Sequence, residues 1–155
     1  MKKLLEAGRH QSEKGQALVA FVVLIPVFIL SLFIVLDLGR YQIMRNQIRI
    51  AADSAALAAA GALDARQAGE GNFVVNANWA HQRAADSLLE TSEHLDEPWM
   101  TLTLLGVDVE GAEVLVRVNG TASTIFGNFP LIGVSGFSAT AESRARAATG
   151  VDTEW

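Results

Sequence analysis

The chain has 155 residues, 17 Asp and Glu against 12 Lys and Arg, a formal net charge of −5 and no cysteine. Half of it is hydrophobic and 19% is charged, for a mean hydropathy of +0.27. Such a length allows one domain with a short appendage; the missing cysteines exclude a disulfide scaffold, a thiol nucleophile and any Cys-ligated metal site, and the acidic balance argues against non-specific nucleic-acid binding.

The apolar residues cluster. Ala17 to Leu36 reads ALVAFVVLIPVFILSLFIVL, in which 18 of 20 residues are apolar and only Pro26 and Ser31 interrupt. A helix of that length spans about 30 Å, the hydrocarbon thickness of a bilayer. A run so uniformly apolar would need cover on every side in a soluble protein, which the remaining chain could hardly supply. Pro26 removes one backbone hydrogen bond, which membrane helices tolerate better than soluble ones, and predicts a bend. The run is longer than a signal-peptide core, and Asp37-Leu38-Gly39-Arg40-Tyr41 after it offers no small-x-small cleavage site, so an uncleaved signal-anchor is expected.

Lys2, Lys3, Arg9 and Lys14 precede the run against Glu6 and Glu13, whereas the rest of the chain carries 8 cations against 15 carboxylates. Arg40, Arg45 and Arg49 lie just beyond the run, so the bias is modest. It places the N-terminus in the cytoplasm and the larger acidic part outside.

The span reads on as the same helix, to about residue 65. Tyr41, Met44, Ile48, Ala51, Ala55, Ala58 and Ala62 recur at steps of three and four, and Ile43, Ile50 and Leu57, spaced by seven, broaden the apolar face. Gln42, Arg45, Asn46, Arg49 and Asp53 share the opposite arc, with Arg49 and Asp53 at an i, i+4 spacing. Eight of the twelve residues from Ala51 to Ala62 are alanine, the strongest helix former. So small a face admits close approach of another element: the chain's own C-terminal domain, or a bundle of identical subunits.

Glycines at Ala68-Gly69-Glu70-Gly71-Asn72 mark a break. Trp79, Ala80, Arg83, Ala84, Ser87 and Leu88 then fit a second helix over about 74–92, with Asn72 or Asn76 as its N-cap, and Pro98 closes the connection. From there the period becomes two. Leu102 and Leu104 alternate with Thr101 and Thr103; after a Glu110-Gly111 turn, Val114, Val116 and Val118 alternate with polar neighbours; Phe137, Ala139 and Ala141 do so later. Three short strands predict an antiparallel meander with one apolar face, covered by the outer half of the long helix. The expected fold is therefore α+β and pilin-like: a long N-terminal helix, transmembrane in its first half, on a small antiparallel sheet, with one extra short helix. Ile125 to Ile132 breaks the alternation, and reads either as a loop folding Phe126 and Phe129 into the core or as an apolar tip touching the membrane or a partner.

The residues point to no enzyme. His10, His81 and His94 are scattered, without a His-x-x-x-His pair. Asp86, Glu90, Glu93, Asp96 and Glu97, then Asp108, Glu110 and Glu113, make an acidic stretch that reads as solvated faces, since it lacks the spacing of a calcium loop. Phosphate-loop and nucleophile-elbow patterns are absent, no metal or other cofactor is expected, and Asn119-Gly120-Thr121 is a sequon of chance frequency.

Gly15-Gln16-Ala17-Leu18-Val19-Ala20-Phe21, the Leu-Ile-Pro ending at Pro26, Asp37-Leu38-Gly39-Arg40 and Ile50-Ala51-Ala52-Asp53-Ser54-Ala55-Ala56-Leu57-Ala58, in this order and spacing, resemble the TadE/TadG-like proteins of bacterial tight-adherence (Flp-type) pilus systems. The resemblance covers residues 12–63 and singles out Pro26, Asp37, Gly39, Arg40 and Asp53. It implies a membrane-anchored pseudopilin or minor-pilin-like subunit whose partners are the lipid bilayer and other pilus-assembly or pilin subunits, met through the transmembrane and Ala-rich helix. It also implies a prepilin-peptidase cut between Gly15 and Gln16. TadE-like proteins carry Glu five residues after that cut; this chain has Ala20, which leans toward the uncleaved TadG-like branch. The expected layout is a cytoplasmic basic leader (1–15), a transmembrane helix (16–38), its extracytoplasmic continuation (39–67), a small α+β domain (68–150) and a tail (151–155), in the bacterial cytoplasmic membrane. The other reading is a bitopic protein whose outer domain binds an envelope component or protein, unrelated to pili.

Overall fold

The computed structural model describes residues 2–64, 67, 74–95, 98–125 and 136–147, with side chains from residue 18 onward. The chain divides into two compact units, Met1–Gly39 and Arg40–Trp155. Helix α1, Lys2–Ala60, runs through Pro26 without interruption and contributes to both. It begins well before the apolar run. In the first unit the side chains from Leu18 to Leu36 are exposed, apart from a half-exposed Phe33.

The second unit is a helix pair on a three-stranded sheet. α1 ends five residues earlier than its periodicity suggests: Gly61 N still donates to Leu57 O at 3.3 Å, and Ala62 N tightens the last turn by donating to Ala59 O at 3.0 Å. The chain then doubles back. Asn76 N donates to Ala62 O and Asp64 N to Val74 O, each at 2.9 Å, around an antiparallel bridge between Leu63 and Val75. Helix α2, Ala77–Leu95, starts at once. Asn76 is its cap: the amides of Asn78 and Trp79 donate to Asn76 Oδ1 at 3.1 and 3.3 Å, an interaction that stabilises a helix by about 1 kcal/mol. The alternative cap Asn72, the break at 68–72, Phe126 and Phe129, and the tail 151–155 lie outside the described residues. α2 buries Ala80, Ala84 and Leu88, and reaches α1 through Ser54 Oγ and Thr91 Oγ1 at 3.5 Å and through Arg83, which donates to Gly61 O at 3.5 Å.

Strands β1 (Met100–Glu110), β2 (Glu113–Ser123) and β3 (Gly136–Arg146) form an antiparallel meander in the order β1-β2-β3. Gly111, at φ 64°, opens the two-residue turn between Glu110 and Glu113; a positive φ at this position matches the twist of a tight hairpin. Each strand is 11 residues long, longer than the short runs of alternation in the sequence. In β1 the reason is a bulge. The register shifts between Leu104 and Gly106, so the inward positions change from Leu102 and Leu104 to Val107 and Val109, and Leu105 faces solvent.

The core lies between the inner face of the sheet and α1. Val114, Val116 and Val118 of β2 are buried with Met44, Ile48 and Ala51, Ala52, Ala55, Ala56 and Ala59 of α1, flanked by Leu104, Val107, Ala139 and Ala141. Gly120 makes the closest approach possible: a Cβ there would lie 2.4 Å from Ile48 Cδ1. At the far end, the hairpin turn is clasped by Val75 N donating to Gly111 O and Ala147 N donating to Ala112 O, at 3.0 and 2.9 Å. The α+β fold expected from the sequence is the one observed.

Candidate membrane anchor and assembly surface

Two features of α1 can act on something outside the chain: its apolar first half and one row on its second. Among the described residues this helix is the one long and apolar enough to cross a membrane. An uncovered apolar helix of this length suits lipid as its solvent, since its backbone groups, apart from the one hydrogen bond that Pro26 removes, are bonded within the segment.

The alanine face is not available to a neighbour. Ala51, Ala52, Ala55, Ala56 and Ala59 are fully buried inside their own domain, so of the two partners open to that face it is the chain's own sheet and α2 that occupy it. What remains outside is the row that broadens the stripe: Ile43, Ile50 and Leu57 are 51%, 50% and 69% exposed. The same seven-residue spacing continues back through Leu36, Ile29 and Val22 in the sequence. Burying one such side chain fully is worth about 1.5–3 kcal/mol, so three in a row form a surface suited to another helix.

The positions singled out by the sequence motifs fall as follows. Gly15 and Gln16 lie within α1, and their side chains are outside the described residues. Pro26 is exposed in the apolar run, and Asp37 is buried, at 8% exposure. A Cβ on Gly39 would meet no atom within 4 Å, so space does not explain the glycine. Arg40 stacks on Trp99, its Cζ 5.4 Å from the ring centroid. Asp53 is exposed, and among the described residues no ion pair joins it to Arg49. These positions are strung along one helix, α1.

Another group does converge, and sequence reasoning missed it. Tyr41 and Phe137 meet edge to face at 5.7 Å, Arg45 Cζ lies 5.9 Å from the Tyr41 ring, and Arg40 and Trp99 are stacked alongside. An Arg-Tyr pair directly after an apolar span is the signal that could have drawn attention to it. The acidic residues spread out: Asp86, Glu90 and Glu93 are exposed on α2, while Asp108 pairs with Arg117 across β1 and β2. Among the described residues no three His, Asp or Glu side chains are grouped to hold a metal ion.

A single apolar helix continuing into a small α+β domain is consistent with a single-pass membrane protein. Within that class, residues 15–62 match the Tad family model, described as "Putative Flp pilus-assembly TadE/G-like". The likeness read from the N-terminal motifs is thereby borne out over residues 15–62. No curated protein and no solved structure matches the chain.

Proposed function

We propose that the chain is a membrane-anchored pseudopilin or minor-pilin-like subunit that acts in assembling or anchoring a tight-adherence type pilus. The observation that carries this reading is the extent of the TadE/G-like match, 15–62, which takes in the apolar run and the whole exposed row Ile43, Ile50 and Leu57 and stops as α1 ends. Residues 1–15 act as a basic cytoplasmic leader, 16–38 cross the bacterial cytoplasmic membrane, 39–67 carry the chain away from it, and 68–150 complete a domain outside. The role is structural: the exposed row packs against the helix of a neighbouring pilus subunit, while the buried alanine face holds the domain to its own helix.

A photo-crosslinking amino acid at Ile50, in cells making the complete pilus apparatus, tests the reading. Discrete adducts with a pilin-class subunit are expected from Ile43, Ile50 and Leu57, and not from Thr103 on the outer face of the sheet. Absence of adducts from all three row positions would remove the assembly role.

A further inference from the structure

One end of the sheet gathers groups that subunit packing leaves unused. Met100, Ala122 and Phe137 pair across the three strands, so the start of β1, the end of β2 and the start of β3 share that end. There Arg40 stacks on Trp99, Phe137 meets Tyr41, and Arg45 lies over Tyr41. Beside Trp99 and Phe137 is an open depression of about 510 Å³ with Thr121, Ser123 and Ser138 on its wall. The opposite end of the sheet carries both signs, Asp108, Glu110 and Glu113 set among Arg117, Arg144 and Arg146.

Depth decides what the first end meets. Arg40 follows Leu36, the last residue of the apolar run, by four positions. Four residues of helix rise about 6 Å, and the headgroup layer on each side of the hydrocarbon is roughly 5–8 Å thick. Arg40 and Tyr41 therefore fall within that layer; the Arg45 backbone, about 14 Å beyond Leu36, stands outside it, but its guanidinium turns back over the Tyr41 ring, and ring contact brings Trp99 and Phe137 to the same level. Trp and Tyr are the residues enriched there, because their rings are apolar with one polar point. A guanidinium stacked on an aromatic face still presents its N–H edge, which matches phosphate.

We propose that this end of the domain is a seat for phospholipid headgroups: Arg40 and Arg45 bind the phosphates of anionic lipids while Trp99, Tyr41 and Phe137 lie in the interfacial layer. The seat rests on the membrane placement of α1 and not on the pilus assignment, so loss of every subunit crosslink would leave it standing. The test uses the full chain with W79F and W155F, which leaves Trp99 as its single indole, in vesicles of phosphatidylcholine with about 30 mol% phosphatidylglycerol. A spin label at headgroup depth should quench Trp99 more than one at mid-chain, and acrylamide should quench it less than in detergent. R40Q and R45Q should each lower the enrichment of phosphatidylglycerol around the purified chain roughly fivefold, while R40K/R45K retains it. Trp99 equally open to acrylamide in vesicles and detergent would overturn the seat. So would an unchanged lipid preference in R40Q/R45Q.

Discussion

At the scale of single residues the fold turns on one missing side chain. Gly120 sits in the central strand, where any larger residue would have packed, and its place is taken by Ile48 reaching across from α1. A methyl there would stand 2.4 Å from Ile48 Cδ1 and 2.5 Å from Cγ1, and Ile48, at 1% exposure, is branched and enclosed. Gly120→Ala should therefore lower stability by about 1–3 kcal/mol, the range for overpacking a filled core. Thermal unfolding of the detergent-solubilised chain checks it, and an unchanged midpoint would show that Ile48 yields freely. Coupling adds a second reading: with Ile48→Val already in place the same substitution should cost less, because one of the two clashing atoms is gone. Glycine is also part of the Asn119-Gly120-Thr121 sequon, whose form here follows from the packing of Ile48 and needs no glycan.

At the scale of elements, α1 has two apolar surfaces that the sequence writes in the same letters. Ala55, seven residues after Ile48, is fully buried, whereas Leu57, two residues on, is 69% exposed. Ala55→Leu should destabilise the domain by about 1–3 kcal/mol through overpacking. Leu57→Ala should change stability by no more than about 0.5 kcal/mol, as substitutions at exposed positions do. Denaturant unfolding of the two variants side by side decides this, and equal effects would mean the row is not a free surface. Why some elements were legible follows from how local their causes are. The span declared itself through 18 apolar residues in 20, and α2 through Asn76 followed by an amphipathic run. The strand β1 was legible only up to Leu104, because the bulge at Leu105 reverses which parity points inward and so cancels the alternation. In β3, alanines alternate with serine, threonine and charged residues, a pattern too weak in hydropathy to give its length. Which partner took the alanine face was undecidable from periodicity, since a sheet and a helix make the same demand for small side chains. The arginine–aromatic group drew on residues 40–45, 99 and 137, joined only by tertiary packing.

At the scale of the whole molecule, the charge asymmetry and the leader make separate claims. The proposed orientation, with the N-terminus in the cytoplasm, rests on the four cations of residues 1–15 against Arg40, Arg45 and Arg49 just beyond the span. A phosphatase reporter fused after Trp155 should then be active, since the enzyme works only outside the cytoplasm; an inactive, full-length fusion would reverse the orientation. Processing is a different matter. The bond Gly15–Gln16 lies just before the apolar run, where a prepilin peptidase would cut, but the fifth residue beyond it is Ala20. A carboxylate costs about 2.5–3.5 kcal/mol at the centre of a membrane helix and less toward the end where Ala20 lies, so a subunit that carries one unpaired is drawn toward a partner that neutralises it. Ala20 exerts no such pull. On the proposed reading the chain rests in the bilayer with residues 1–15 attached and meets its neighbours without the help of a buried charge. Intact-mass measurement of membrane-extracted protein should therefore find most of it at the full 16.6 kDa, beginning at Met1. A dominant species beginning at Gln16 would show that the peptidase acts without the carboxylate, and would move the chain from the uncleaved branch to the processed one.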